Sequence, residues 1–215
     1  NPIFDIGLYA LKKVGYEGVE EPILQDVVNV LGLGIDVGWN TLASNTNPTL
    51  LGDEVNVQSW VKATENPVEI IPVGRYSPSE LLPFGWYTNV TSLITHEVGI
   101  IATGLPNAQT LFPIVGSGGT TFDPLDAVFG IYTQSESFNR VNYTEDAVNT
   151  ATGSAIAHRT RIYPVKDRLG NLVKNSYFIT FEDNTNGDYQ DYMFVVKNVR
   201  PASEAGILSF NKQSL

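Results

Sequence analysis

Residues 177–196 read YFITFEDNTNGDYQDYMFVV. Tyr177 to Phe181 and Tyr192 to Val196 are aromatic and β-branched runs of strand length, and such runs favour a pleated, largely buried surface. Between them the chain crowds Glu182, Asp183, Asp188 and Asp191 among amides and one glycine. Two apolar strands joined by a polar turn predict antiparallel β structure, and the same pattern extends outward. EVNVQSWVKA (54–63), VEIIPVGRY (68–76), HEVGIIA (96–102), AVFGIYT (127–133), HRTRIYPV (158–165) and LVKNSYFITF (172–181) are further runs bounded by Gly, Pro and Asn. The stretch around Leu169, Gly170 and Asn171 suits a hairpin turn.

One segment has a different period. In residues 18–34, GVEEPILQDVVNVLGLG, the apolar positions Ile23, Leu24, Val27, Val28, Val30 and Leu31 recur at helical spacing. Pro22 suits the first helical position, Gly32 or Gly34 the stop, and Glu20 and Glu21 the positive end of the dipole. The spacing predicts a helix over 22–31. SPSELL (77–82) has Ser77 and Glu80 at capping-box spacing and predicts a further short helical turn. The fold expected is mostly β, a jelly-roll-like sandwich with one short α-helix near the N-terminus. The organisation expected is a single domain over 1–215, or alternatively a helix-plus-strand part over 1–75 packed on a sandwich over 76–201. PFGWYTNV (83–90) and VFGIYTQS (128–135) share F-G-x-Y-T and predict equivalent strands in which Gly85 and Gly130 permit close approach beside an aromatic.

Composition narrows the function. Charged residues are 17% of the 215, below the roughly 25% typical of soluble domains, and the net charge is −10. Nucleic-acid affinity comes mainly from Lys and Arg neutralising phosphates, so this balance argues against nucleic acid and suits cations as partners. There is no cysteine, which removes disulfides and thiolate metal chemistry. No apolar run approaches the ~18 residues of a membrane span. The opening NPIFDIGLYALKK lacks a Met, a basic start and an apolar h-region, and reads as a mature or excised segment.

The crowded carboxylates need either solvent or a compensating charge. Calcium accepts six to eight oxygens in irregular geometry, and Asn184, Asn186 and Gln190 add neutral oxygens to the four carboxylates. A solvated polar turn has the same composition. An EF-hand register starting at Glu182 places Met193 where the bidentate Glu belongs, so any remaining ligands must come from elsewhere. NYTEDAVN (142–149) is the natural supplier, with Glu145, Asp146 and Asn149 at helical spacing.

The ordered set VFGIYTQS, VNYTEDAVN and FEDNTNGDYQDYMFVVKNV resembles a family of secreted bacterial domains of unknown function that recur in surface-anchored proteins and large adhesins. The resemblance covers roughly residues 122–201. It implies a β-sandwich with a calcium-type motif falling on Phe181, Glu182 and Asp183, on Asp188 and Asp191, and on Asp146 and Asn149, with Gln190 where the family more often has Asn. It also implies a location outside the cell or at its surface, and a place in a larger multidomain chain.

Catalytic signals are weak. His96 and His158 are the only histidines and read as hydrogen-bonded structural residues; Ser117 in GSGGT lacks the strand-to-helix setting of a nucleophile. A glycosidase needs only two carboxylates, and none is marked out among the 23 acidic residues. Trp39 between Gly38 and Asn40, and Trp86 with Tyr87, are the candidates for stacking on a sugar face, whereas Trp60 suits the core. The expectation is a noncatalytic, extracellular, calcium-binding module that binds a polysaccharide or cell-surface glycan or mediates adhesion. The alternatives are a spacer domain and, third, a hydrolase.

Overall fold

The structure, a computed structural model, describes residues 21–42 and 45–203. Glu20, expected beside the helix start, lies outside the described residues. The strands are β1 (Trp60–Lys62), β2 (Val68–Tyr76), β3 (Leu82–Asn89), β4 (Leu93–Ile101), β5 (Gln109–Leu111), β6 (Val115–Gly118), β7 (Thr121–Phe122), β8 (Gly130–Ser135), β9 (Arg140–Tyr143), β10 (Thr160–Lys166), β11 (Leu172–Phe181), β12 (Tyr192–Lys197) and β13 (Val199–Pro201). The helices are α1 (Leu24–Leu31), α2 (Leu105–Ala108) and α3 (Asp146–Ala151).

One sheet runs β10-β11-β12-β2-β5, with β7 also on β2, and a second runs β6-β4-β3-β8-β9. All pairings are antiparallel, as the expected sandwich requires. Between the sheets, Leu82, Phe84, Ile101 and Ile131 meet Ile70, Ile179, Phe181 and Phe194, with Phe84 and Phe194 ring centroids 5.3 Å apart. β1 pairs with β13, and a bridge from Trp60 to Phe129 ties this ribbon to the β8 end of the second sheet.

The six-stranded sheet is buried on its other face as well. Tyr163, Phe178 and Met193 alternate with Ile162, Ile179 and Phe194 and join a second core under α1, with Leu24, Val27, Val28, Leu31, Ile35 and Val37. Burial on both faces is why YFITF and YMFVV are continuous apolar runs rather than alternating ones. The helix begins two residues later than its pattern predicts, because Ile23 is extended (ψ 151°) and serves as N-cap, leaving Pro22 outside. Gly32 ends it at φ 73°, as expected of a C-terminal glycine.

Two further expectations are corrected. SPSELL forms a bend rather than a helical turn, because the Ser77 hydroxyl accepts from Arg75 Nε (2.7 Å) and the Glu80 carboxylate accepts from Ser135 Oγ (2.7 Å) and Ser137 N. Of EVNVQSWVKA only Trp60–Lys62 is strand; Val55 and Val57 pack on the core from an irregular segment. GSGGT contributes to the edge strand β6, which leaves β4 inside the sheet. The short helix near the N-terminus is joined by α2 and α3.

The repeated F-G-x-Y-T motifs are neighbours. β3 and β8 pair so that Gly85 faces Tyr132 and Gly130 faces Tyr87, each glycine opposite the other motif's tyrosine. A Cβ on Gly130 would overlap the Tyr87 ring, whose hydroxyl lies 3.4 Å from Thr144 Oγ1 and accepts from Glu145 N (3.1 Å). Gly130→Ala is therefore expected to cost about 1–3 kcal/mol by overpacking, read as a lower urea midpoint at unchanged m. Tyr87→Leu in the same background, which removes the clashing ring, is expected to make the alanine cheaper than it is alone; strict additivity of the two changes would contradict this account.

Candidate functional site: a buried acidic loop

β11 and β12 pair as far as Phe181 opposite Tyr192, and the acidic loop closes the hairpin beyond them. Its stems are tied to both neighbours: Glu182 N donates to Arg159 O (2.9 Å), and Tyr76 N donates to Asp191 O (3.1 Å). Glu182, Asp183, Asp188, Gln190 and Asp191 are all buried. The loop is therefore an interior structure and not the solvated turn its composition equally allowed.

Inside it, the Glu182 carboxylate organises the backbone. Its Oε2 accepts from Gly187 N (2.8 Å) and Asp188 N (3.1 Å), with Tyr189 N at 3.5 Å. Gly187 at φ 77° and Tyr189 at φ 60° are left-handed, which turns successive amides to one side in the manner of an anion-binding nest. The non-glycine Tyr189 holds this conformation because its hydroxyl donates to His158 O (2.6 Å) and its ring lies beneath the Arg161 guanidinium (4.9 Å).

Ligand atoms of Glu182, Asp188 and Asp191 lie within 4.8 Å of one another. Glu182 Oε1 has no hydrogen-bond partner among the described residues, nor do two neutral oxygens of the same loop, Asn186 Oδ1 and Gln190 Oε1. Burial, and then the neighbouring Asp188 carboxylate, push the Glu182 carboxyl up to about 7. Burial, with Glu182, Asp188 and Asp183 beside it, raises the Asp191 carboxyl well above the usual carboxylate range. Nearby guanidiniums answer the loop's carbonyls. Arg159 Nη1 reaches Glu182 O (3.3 Å) and Asn184 O, and Arg140 Nη1 donates to Asp183 O (2.6 Å).

Three residues of the expected ligand set lie elsewhere. Asp183 turns away from the triad: Oδ1 accepts from Asn142 Nδ2 (3.2 Å), Oδ2 accepts from the Tyr192 hydroxyl, and its own N–H donates to Asp191 Oδ2 (2.6 Å). The Asn149 amide is spent on backbone, accepting from Tyr143 N (2.9 Å) and donating to Tyr143 O and Ala157 O (both 2.8 Å). The Asp146 carboxylate sits 3.1 Å from His158 Nδ1. NYTEDAVN is thus a structural support, with Asn142 bound to Asp183, Asp146 to His158 and Asn149 to backbone.

The aromatic candidates also separate. Tyr87 is fully buried and lies out of reach of a ligand. Trp86 has both faces covered, by His96 (4.0 Å, 14°) and Phe122 (5.5 Å, 9°). Trp39 is half-buried, with Arg161 over its ring at 5.3 Å and Tyr189 at its edge. It borders an open cleft of about 730 Å³ shared with Gln25, Asn29, Asp36 and Asn40.

A buried charge network, missed in the sequence, supports this region. Glu54 binds Arg161 Nη1 through Oε2 and His158 Nε2 through Oε1 (3.1 Å), and Asp146 holds the other imidazole nitrogen. Its signal is HRTRIYPV, where His158, Arg159 and Arg161 interrupt a strand otherwise fit for a core; buried cations require partners. The chain matches no protein-family model, no curated protein and no solved structure.

Burial alone would lower the affinity of His158 for its proton, but its hydrogen bonds with Asp146 and Glu54 outweigh it and push the imidazole up to about 8. A raised imidazole stabilises the fold fully below its unfolded value of 6.5, and that stabilisation disappears as pH rises through about 8. Unfolding free energy is expected to fall by about 2 kcal/mol across this window. Urea midpoints measured through it should show the step in the native chain and lack it in His158→Gln.

Proposed function

We propose that the protein is a noncatalytic module of the cell exterior whose 182–191 loop is organised by a divalent cation, calcium by its donor set, and which binds carbohydrate. The observation that carries this reading is the convergence of the buried Glu182, Asp188 and Asp191 carboxylates within 4.8 Å. Three such groups repel one another in a low-dielectric interior, and a divalent ion offsets that repulsion directly. The three donors are all carboxylate oxygen, and the same loop carries the unpartnered amide oxygens of Asn186 and Gln190, a set that suits a hard cation over zinc. Such an ion would hold the loop against the two strand ends, a structural role that suits the millimolar calcium outside cells.

The Trp39 cleft supports the carbohydrate half of the reading. A ring backed by Arg161 and Tyr189 and bordered by Asn29, Asp36 and Asn40 offers an apolar face to sugar C–H groups and polar atoms to hydroxyls. Trp39→Ala is expected to abolish retention on insoluble polysaccharide while the rise in thermal midpoint that calcium produces persists, over a baseline lowered by lost packing on the core.

Calcium is expected to raise the thermal midpoint reversibly against EDTA, by about 2.7 kcal/mol of stabilisation at a hundredfold excess over Kd. Glu182→Gln with Asp188→Asn should erase the calcium response; an undiminished response in that variant would place the ion elsewhere. The pH dependence has a definite sign. Without an ion, the raised Glu182 carboxyl makes folding less favourable as pH climbs from 4.5 through about 7, whereas calcium must displace its proton and so binds more tightly over the same rise. The calcium-induced shift should therefore be larger at pH 8 than at pH 5.

A further inference from the structure

Two adjoining cavities, of about 410 and 380 Å³, lie along β9 and share Asn139, Arg140 and Val141. The first is lined on its apolar side by Leu81, Pro83 and Ile100; the second is bordered by Phe138, Tyr143 and Ser154. Arg140 stands where they meet. Its Nη1 is fixed on Asp183 O (2.6 Å) and Asn184 O (3.4 Å), while Nε and Nη2 have no acceptor among the described residues.

A second guanidinium stands beside it. Arg159 is fully buried, donates to the same Asn184 carbonyl and, through Nε, to Ser154 Oγ (3.0 Å) on the cavity wall; its Nη2 is buried without an acceptor. Arg159 is less basic than an ordinary arginine, first through burial and then through the charge of Arg140. Glu182 and Asp183 offset part of this repulsion, but their carboxylates accept no hydrogen bond from either guanidinium, and each guanidinium keeps spare donors. An anion placed between the two guanidiniums would relieve the remainder, and a planar carboxylate matches the guanidinium fork.

We propose that the β9 cleft is a second ligand site, specific for the carboxylate of an acidic sugar, with Arg140 as its principal anion contact. The saccharide follows from the rest of the wall. Gln134 and Ser154 offer neutral hydrogen-bonding groups for hydroxyls, and Pro83 and Phe138 offer apolar faces for ring C–H groups. Glu136, exposed at the rim, can accept from hydroxyls but repels a second anionic group, so the site takes one carboxylate per sugar in preference to a doubly charged phosphate. The site deepens the carbohydrate reading above, yet its residues are distinct from both the Trp39 cleft and the carboxylate triad.

The test is a titration of the full chain, in calcium, with glucuronate, galacturonate and N-acetylneuraminate and with the methyl ester of each, followed by backbone and arginine side-chain NMR. At least one acid should shift Arg140 Nε–H and the amides of 138–143 and 152–154, with its ester about tenfold weaker. Arg140→Gln should cost a similar factor. Because Arg140 also holds the acidic loop, Asn139→Asp is the second variant: it adds a negative charge to the cavity wall without touching that loop, and should weaken the acids and spare the esters. Equal binding of acid and ester, insensitivity to both variants, or no shift with any acid at tens of millimolar overturns the proposal. Trp39→Ala and the EDTA response report on the other reading: acid binding that survives loss of either leaves this site standing while that reading falls.

Discussion

The 182–191 loop has to bury ionised groups where the sheet ends, and the surrounding structure is arranged around that constraint. Its peptide groups are sorted by polarity. Amides of 187 and 188 point to Glu182 and that of 183 to Asp191, while the carbonyls of 182, 183 and 184 point to Arg159 and Arg140. Each buried charge thus finds dipoles, which is what makes its burial tolerable. Sorting of this kind satisfies the backbone but leaves the carboxylates of Glu182, Asp188 and Asp191 facing one another, because the guanidiniums beside them donate to loop carbonyls and not to these carboxylates. Repulsion among carboxylates is relieved by protons or by a cation, and the raised Glu182 and Asp191 carboxyls are the proton-bound answer.

The β architecture was legible because its strands are buried on both faces or alternate cleanly. VEIIPVGRY and LVKNSYFITF match β2 and β11 residue for residue, and α1 announced itself through helical spacing. EVNVQSWVKA misled because alternation reports burial, not hydrogen bonding. Val55 and Val57 pack on the core, but beside Ile162 the segment makes only isolated backbone contacts such as Val55 N to Ile162 O (2.9 Å). SPSELL misled in the opposite way, since a capping box is a local device and Glu80 found better partners in Ser135 and Ser137, more than fifty residues away.

Legibility of the site stopped at its first layer. Glu182, Asp188 and Asp191 were visible as a cluster, but direction along a loop is set by φ, and nothing local tells that Asp183 points to Tyr192 while its neighbour Glu182 points inward. Asp146 and Asn149 were expected with the loop because helical spacing puts their side chains on one face. That face meets His158 and the chain at 143 and 157, and the amide and carboxylate are consumed there. Long-range pairing of polar groups cannot be read from spacing alone, since what decides it is the three-dimensional neighbour that leaves the fewest buried atoms unsatisfied.

The loop stands between two clefts and touches the key residue of each. Through Tyr189 it reaches Arg161 and Trp39, with the Tyr189 hydroxyl on His158 O and the Arg161 guanidinium between both rings. Through Asn184 O it holds Arg140 and Arg159 at the β9 cleft. Neither cleft residue contacts a carboxylate of the triad directly; each is positioned by loop backbone whose path those carboxylates set. Fixing the triad, by ion or by proton, therefore fixes the Trp39 ring from one side and the Arg140 fork from the other. A ligand of the kind proposed for either cleft would then meet a preorganised contact and lose less entropy on binding. The same geometry implies reciprocity: whatever free energy the loop's occupant lends to a cleft, a ligand in that cleft returns to the occupant.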